Sequence, residues 1–201
     1  MKVFAGIDPG DSGAIALLPD GAAPAVFDFA DPAGFFRLKT WALRKMAVHA
    51  VLEKISAMPK QGVASTFKFG TNYGRWQGRL EALGIPYDLV TPQAWQKQMF
   101  DAAPKQYKWV AATAAHARGV PQGAREVRQM EKQGKRVWTF KRKALDTKAM
   151  SLERARRLFP ALADKLKLKK HDGRADALLM AEFCRRHCRA GVCMLTDPLA
   201  G

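Results

Sequence analysis

The chain has 201 residues, of which 48% are hydrophobic, so it is long enough to bury a sizeable core and too apolar to be disordered as a whole. It carries 34 Lys and Arg against 18 Asp and Glu, a formal net charge of +16. This excess predicts salt-sensitive attraction to polyanions, with nucleic acid as the first candidate, although a solvated basic surface or an acidic protein partner would also explain it. No apolar run approaches the roughly 20 residues of a membrane span, so we expect a soluble, cytoplasmic protein.

The first part of the chain has the pattern of an antiparallel meander. Short turns separate three apolar strands, which are predicted at 2–8, 13–18 and 25–29. Asp31-Pro32 then has the form of a helix start, with Pro at the first helical position, and an apolar helical face extends to about Met46.

The next elements alternate between strand and helix. Strands are predicted at 48–53 and 85–90, on either side of a helix that Ser65 or Thr66 would cap and that Gly84 would stop. A further helix starts at Pro92. The order predicts an α/β fold, with a mixed five-stranded sheet whose first three strands are antiparallel and whose faces are covered by helices.

The segment 101–145 differs in composition from the rest of the chain. A helix is predicted at 107–118, and the residues after it are rich in Arg, Lys, Gln and Gly. We interpret 101–145 as a basic insertion in a single domain of residues 1–201, and as a candidate for mobility or for ordering by a partner. Two helices, at about 147–159 and 173–188, close the chain.

Two acidic residues end apolar strands of the predicted sheet. Asp8 follows the first strand, and Glu53 closes the strand VHAVLE. If these strands are parallel neighbours, both carboxylates emerge at the carboxyl edge of the sheet, where open α/β sheets bind ligands. Each has a simpler interpretation, since Asp8 before Pro-Gly can be only a turn residue and Glu53 can be paired with Lys54.

A second pair of acids lies in the segment KKHDGRADA near the end of the chain. Asp172 and Asp176 are four residues apart, so a helix would place both on one face. With Asp8 and Glu53 they offer an all-oxygen ligand set, which suits Mg²⁺ or Mn²⁺ rather than zinc, and two such ions can support phosphodiester hydrolysis. The alternatives are that Asp172 is only a helix N-cap and that Asp176 is only a solvated helix residue.

The ordered set of these motifs resembles the RuvC-type Holliday junction resolvases of the RNase H-like superfamily. Asp8 in GIDPGDSGAIAL is similar to the first acidic motif of that family, and Glu53 in VLEKISAMP is similar to the second. The segment ASTFKFG with the Tyr-Gly-Arg that follows it, and the closing DALLMA that begins at Asp176, are similar to later helices of the family. The resemblance covers about residues 2–100 and 146–188.

This resemblance implies an RNase H-like fold, a homodimer, a divalent metal and hydrolytic nicking of four-way DNA junctions. The compact length and the basic insertion are most similar to versions carried by bacteriophages, which would act in the cytoplasm of a bacterial host. The resemblance also implies that four acids are the catalytic metal ligands: Asp8, Glu53, Asp172 and Asp176. His171 would supplement or replace one of them. Lys148 resembles a family lysine that could stabilise transition-state charge, although a plain phosphate contact is an equal interpretation.

Basic residues flank the predicted acidic edge and continue through the insertion. The candidates for DNA contacts are Lys54, Lys60, Lys68, Arg75, Arg79, Arg142 and Lys143. Gly70, Gly74 and Gly78 leave a stripe without side chains, which suits close approach of a phosphate backbone or a partner subunit, or tight packing on the protein's own sheet. Trp138 and Phe140 could stack on unpaired bases or anchor the basic segment to the core.

Together these features predict a divalent-metal-dependent endonuclease that resolves branched DNA. An RNase H-like nuclease of broader flap or hybrid specificity, or a non-catalytic branched-DNA-binding protein, would carry similar charges. An actin-like or sugar-kinase-type ATPase also uses an acidic strand end, but that class needs two such domains, and the chain is too short for them. It also has no GxxxxGK[ST] phosphate loop.

Overall fold

The computed structural model describes residues 1–54, 62–101, 103–114, 127–132 and 135–189. The chain divides into two compact units, one formed by Met1–Ala103 with the chain from Ser151, the other by Pro104–Met150. Among the described residues, no helix combines the length and the apolarity that crossing a membrane requires.

The first unit is built on five strands and the helices around them. The strands are β1 (Lys2–Ile7), β2 (Ala14–Pro19), β3 (Ala25–Asp28), β4 (Ala47–Glu53) and β5 (Tyr87–Val90). The helices are α1 (Pro32–Leu43), α2 (Val63–Ala82), α3 (Pro92–Met99), α4 (Thr147–Leu158) and α5 (Asp172–Arg189). The boundary between the two units, at Met150, falls within α4. Two 3₁₀ segments, Pro160–Leu166 and Lys169–His171, precede α5.

The five strands form one mixed sheet in the order β3-β2-β1-β4-β5. β2 is antiparallel to both β1 and β3, whereas β4 is parallel to both β1 and β5. Since β1 and β4 are parallel neighbours and Ile7 pairs with Leu52, their carboxyl ends lie side by side. The predicted fold class, a mixed five-stranded α/β sheet with its first three strands antiparallel, is confirmed.

Helices cover both faces of this sheet, because side chains along a strand alternate between its faces. Val3, Ala5 and Ile7 of β1 pack in one cluster with residues of α1 and α2, which include Leu38, Trp76 and Leu80. Phe4, between them, packs in the other cluster with residues of α3 and α5, which include Trp95, Leu179 and Phe183. α5 is therefore the helix that covers the centre of the second face.

Glycines let α5 approach the sheet more closely than any side chain would allow. A Cβ added to Gly6 of β1 would lie 2.1 Å from the carbonyl oxygen of Ala177, and one added to Gly173 would lie 2.1 Å from that of Ser12. Both distances are far below van der Waals contact. The first turn of α5 is thus fixed directly on the hairpin between β1 and β2.

Several predicted element boundaries are confirmed and two predictions are wrong. Asp31 caps α1, with its carboxylate accepting from Ala33 N at 2.9 Å, as expected. The cap of α2 is Gly62 rather than Ser65 or Thr66, and the Thr66 hydroxyl instead donates to the Gly62 carbonyl. The helix predicted at 107–118 is instead a strand, β6 (Tyr107–Ala114), because its aromatic and β-branched residues pair along their whole length with a partner strand.

The second unit contains a three-stranded antiparallel sheet in the order β6-β8-β7, with β7 at Val127–Lys132 and β8 at Lys135–Leu145. The backbone N–H of Asp146 donates to the Gln106 carbonyl at 2.8 Å, and its carboxylate accepts from Ala149 N at 3.3 Å and from Lys108 Nζ at 3.1 Å. Most of the described part of the basic segment, from Tyr107 onward, is therefore strand rather than irregular chain. That it moves or is ordered by a partner stays a prediction.

Candidate active site

Asp8 follows β1 and forms part of the hairpin that leads into β2. Its backbone N–H donates to the Ala14 carbonyl at 3.0 Å, and the Ala14 N–H donates back at 3.2 Å. The Gly10 N–H donates to Asp8 Oδ1 at 2.9 Å. The turn interpretation is thus correct in part, and the same hydrogen bond orients a half-buried carboxylate at the carboxyl edge of the sheet.

Glu53 is the last residue of β4. Because Leu52 pairs with Ile7, the next residue on each chain brings Glu53 beside Asp8, and neighbouring strands lie about 4.8 Å apart. The indole N–H of Trp95, which is fully buried in α3, donates to Glu53 Oε1 at 3.0 Å. Burial and the charge of Asp8 raise the pKa of Glu53 to about 7, although the Trp95 hydrogen bond lowers it in part.

Asp172 and Asp176 lie one turn apart at the start of α5. Asp172 is buried, and Asp176 Oδ1 is a buried oxygen with no hydrogen-bond partner among the described residues. Burial raises the pKa of Asp176 well above its usual value, and the charges of Asp8, Glu53 and Asp172 raise it further. The nearby Ser151 hydroxyl lowers this pKa in part, although it does not form a hydrogen bond of normal geometry. The charges of the other three predicted acids therefore reach Asp176, and that of Asp8 also reaches Glu53.

This edge fits a divalent cation by the chemistry of its donors. Four carboxylates supply only hard oxygen atoms, and Asp176 Oδ1 is a buried acceptor that a cation would satisfy. In the part of the chain that the structure describes, no three His, Cys, Asp or Glu side chains lie close enough to form a ready-made ligand group. Carboxylates repel one another when no cation lies between them, so the oxygen donors and the raised pKa values of Glu53 and Asp176 carry the assignment, without a coordination geometry.

The two other predicted residues of the active site are His171 and Lys148. His171 precedes α5 and its Nδ1 accepts from the Leu168 N–H at 3.3 Å; burial lowers its pKa, Arg174 lowers it further and Asp28 raises it. Its role as a ligand stays a prediction. Lys148, in α4, is exposed and belongs to the second unit, so its catalytic role also stays a prediction.

The predicted DNA contacts are distributed over both units. Lys54 follows Glu53 and is exposed, while Lys60 lies outside the described residues. Lys68, Arg75 and Arg79 follow one another along α2. In the second unit, Arg142 and Lys143 belong to β8, where they pair with Val110 and Trp109.

The glycine stripe of α2 lies on an open face of the helix. A Cβ added to Gly70, Gly74 or Gly78 would meet no atom within 4 Å among the described residues, so the interpretation as packing on the protein's own sheet is wrong. Phe67, one turn before Gly70, has 77% of its surface exposed.

Trp95 is the functional residue that sequence reasoning missed. Its hydrogen bond to Glu53 was not predicted. A buried indole N–H usually finds an acceptor, and Glu53 ends the strand beside which α3 begins, so this signal was present in the sequence.

We expect Trp95→Phe to move the pH dependence of any carboxylate-dependent activity upward. Removing a donor that favours the charged form raises the pKa of Glu53 further, so the midpoint at which Glu53 loses its proton shifts to higher pH, by about one pH unit. The measurement is the rate of DNA nicking from pH 6 to 9. Trp41→Phe, at a half-buried tryptophan of α1, is the matched control, and an unchanged midpoint for Trp95→Phe would contradict this role.

Comparison with known proteins gives similarity at the level of solved structures. No protein-family model matches the chain, and no curated protein matches it. Thermus thermophilus RuvC in complex with a Holliday junction substrate is similar, at 15% identity and a TM-score of 0.47, covering 96% of this chain and 98% of that one. A Thermus thermophilus RuvC structure gives 16% identity and a TM-score of 0.44, covering 94% and 97%. Any functional assignment therefore has to come from the residues of this chain.

Proposed function

We propose that this protein is a divalent-metal-dependent endonuclease that hydrolyses phosphodiester bonds in branched DNA, with four-way junctions as its preferred substrate. The observation that carries the proposal is that Asp176, at the start of α5, is close enough to Asp8, Glu53 and Asp172 for their charges to raise its pKa. One oxygen of Asp176 is also buried with no hydrogen-bond partner among the described residues. The formal charge of +16 supports a polyanionic substrate.

The proposed ligands of Mg²⁺ or Mn²⁺ are Asp8, Glu53, Asp172 and Asp176, with His171 supplementing or replacing one of them. When bound, such ions supply an activated water nucleophile and stabilise the leaving oxygen of the phosphodiester. The protein's own part is to hold the ligands. The Gly10 N–H orients Asp8, and the Trp95 indole orients Glu53 and favours its charged form.

The proposal includes two roles for basic residues. Lys148 would stabilise negative charge that develops in the transition state. The remaining candidates would bind the phosphate backbone: Lys54, Lys60, Lys68, Arg75, Arg79, Arg142 and Lys143.

We also propose a homodimer. The open face of α2 supports this, because Phe67 is exposed and the glycines at 70, 74 and 78 would let a second helix approach closely. Two copies related by symmetry would nick both strands of a junction at corresponding positions. A bacteriophage source and action in the cytoplasm of a bacterial host stay predictions from the sequence resemblance.

The test of the proposed function offers the protein a panel of labelled substrates of one sequence: four-way junction, flap, RNA–DNA hybrid and linear duplex. We expect paired, symmetric nicks on the junction in Mg²⁺ or Mn²⁺, and none in EDTA. Cleavage of flap or hybrid at the same rate would indicate the broader nuclease instead. Tight junction binding with no nicking in either metal would indicate a non-catalytic binding protein.

A further inference from the structure

A cleft of about 350 Å³ lies on the α1–α2 side of the first unit, separate from the helix that carries Asp172 and Asp176. Residues of the β1–β2 hairpin, of the start of α1 and of the middle of α2 line it, and we call it the α1–α2 cleft. The residues of the cleft that matter here are Asp11, Phe35, Lys68, Arg75, Trp76 and Arg79.

Arg75 and Arg79, four residues apart in α2, both line this cleft. Among the described residues, neither Arg75 nor Arg79 makes a hydrogen bond or an ion pair with a carboxylate. The Arg79 guanidinium lies 4.5 Å from the ring centre of Phe35 and 5.0 Å from that of Trp76. Burial lowers the pKa of Arg79 and the charge of Arg75 lowers it further, so a bound anion would relieve repulsion that the protein leaves uncompensated.

A buried donor is a second, independent feature of the same cleft. Trp76 is 1% exposed, and its indole N–H has no hydrogen-bond partner among the described residues. A buried N–H that lacks an acceptor costs free energy. The lining of the cleft therefore includes two arginines without a carboxylate partner and a tryptophan whose buried N–H lacks an acceptor, among the described residues; all three favour a ligand that is anionic and rich in acceptors.

The cleft shares a wall with the hairpin that carries Asp8. Asp11, at the tip of this hairpin, accepts from Asn72 Nδ2 at 3.1 Å and pairs with Lys68 Nζ at 2.8 Å. β3 runs in the same direction as β1, so the carboxyl ends of both strands lie at one edge of the sheet. The residues that follow β3 line the cleft, which therefore opens at the same edge as the acids. β3 and β1 are separated by one strand, so the cleft lies roughly 10 Å along the edge from Asp8.

We propose that the α1–α2 cleft binds a phosphodiester group of the DNA strand that is cut, on the guanidinium groups of Arg75 and Arg79, a few nucleotides from the scissile bond. Guanidinium groups match phosphate oxygens in a bidentate geometry, which a single exposed lysine cannot provide. This inference depends on the proposed function for the identity of its ligand, since a free phosphate ion has the same chemistry.

The first test measures junction binding in Ca²⁺ as a function of salt concentration, which does not depend on nicking. Each lost phosphate contact lowers the slope of log Kd against log salt by about 0.9. We expect Arg75→Gln to lower the slope by about one contact and Arg75→Gln with Arg79→Gln by about two. Arg37→Gln is the matched control, because Arg37 is an exposed arginine beside aromatic rings on α1 and is not part of the cleft.

The second test locates the bound phosphate. Junctions with one uncharged methylphosphonate at successive positions from the nick are offered to the wild type and to Arg75→Gln. We expect one position, two to four nucleotides from the nick, at which the methylphosphonate weakens junction binding by the wild type. At that position it should not weaken binding by Arg75→Gln any further, because the variant has already lost this contact. If Arg79→Gln does not fold, Arg79→Lys keeps the charge and tests the bidentate contact.

The proposal would be overturned by salt slopes that do not change in the variants or by an equal loss of slope in Arg37→Gln. It would also be overturned if the affinity losses from the methylphosphonate and from Arg75→Gln add at every position. Binding of inorganic phosphate in the cleft with an unchanged DNA salt slope would also overturn it, since the ligand would then be a small anion. A wild type that never nicks but shows the expected slopes would refute the nuclease and leave the cleft as a DNA-phosphate site.

Discussion

Asp8→Asn and Glu53→Gln are each expected to lower the rate of junction nicking by more than about 100-fold, the upper range for loss of support around a metal ligand. Both substitutions keep the shape of the side chain and remove its charge, so they weaken cation binding without opening a cavity. The amide oxygen at position 53 can still accept from Trp95, which keeps the local hydrogen bond. Junction affinity in Ca²⁺ should stay within about twofold of the wild type, because phosphate contacts dominate it.

The measurement is single-turnover nicking in Mg²⁺, with junction affinity measured in parallel. Asp164→Asn is the matched control, since it removes one charge from an exposed carboxylate that pairs with Lys167. Wild-type nicking by Asp8→Asn or Glu53→Gln would remove that residue from the site.

Glu53→Gln is also expected to stabilise the metal-free protein at pH 8. The folded-state pKa of Glu53 is about 7, against an ordinary value of 4.5, so between these pH values the folded protein keeps a proton that the unfolded chain has lost. The free energy of unfolding of the wild type therefore falls as pH rises through this window. Above it the buried carboxylate is charged, at a cost of about 3 kcal/mol at most, which the amide avoids.

Urea unfolding in EDTA at pH 5, 6, 7 and 8 measures this difference. The two proteins should have equal free energies of unfolding near pH 5, and the wild type should become less stable than the variant as pH rises. Replacing EDTA with Mg²⁺ should reduce this difference in stability. Glu81→Gln, an exposed carboxylate that accepts from Tyr87, is the control. If the wild type instead gains stability relative to Glu53→Gln between pH 5 and 8, then charging Glu53 does not destabilise the folded protein.

The acids could be predicted from the sequence because each sits at a position with a fixed geometric meaning. Asp8 and Glu53 end apolar strands, and a parallel pairing of those strands brings strand ends together whatever the loops do. Asp172 and Asp176 are four residues apart, which in a helix is one turn. The close approach of Gly6 and Gly173 to their neighbours explains how α5 reaches this edge, and the sequence contained no pattern that indicated which strand it would cover.

Other features depended on contacts between residues far apart in the chain. β6 has a run of alanines that favours helix, and its strand conformation comes from pairing with β8 about 30 residues later, which local preference does not reveal. The hydrogen bond from Trp95 to Glu53 joins α3 to β4, and the α1–α2 cleft draws on two helices and a hairpin. The orientation of individual side chains was thus the part that the sequence left open.

The most direct test of the central claim is the position of bound Mn²⁺, located by its anomalous X-ray signal in crystals of the wild-type protein. We expect a peak at the carboxyl ends of β1 and β4, bonded to oxygen atoms of Asp8 and of at least one of Glu53, Asp172 and Asp176. A Mn²⁺ peak among other residues, or no peak at this edge at a concentration that supports nicking, would contradict the account.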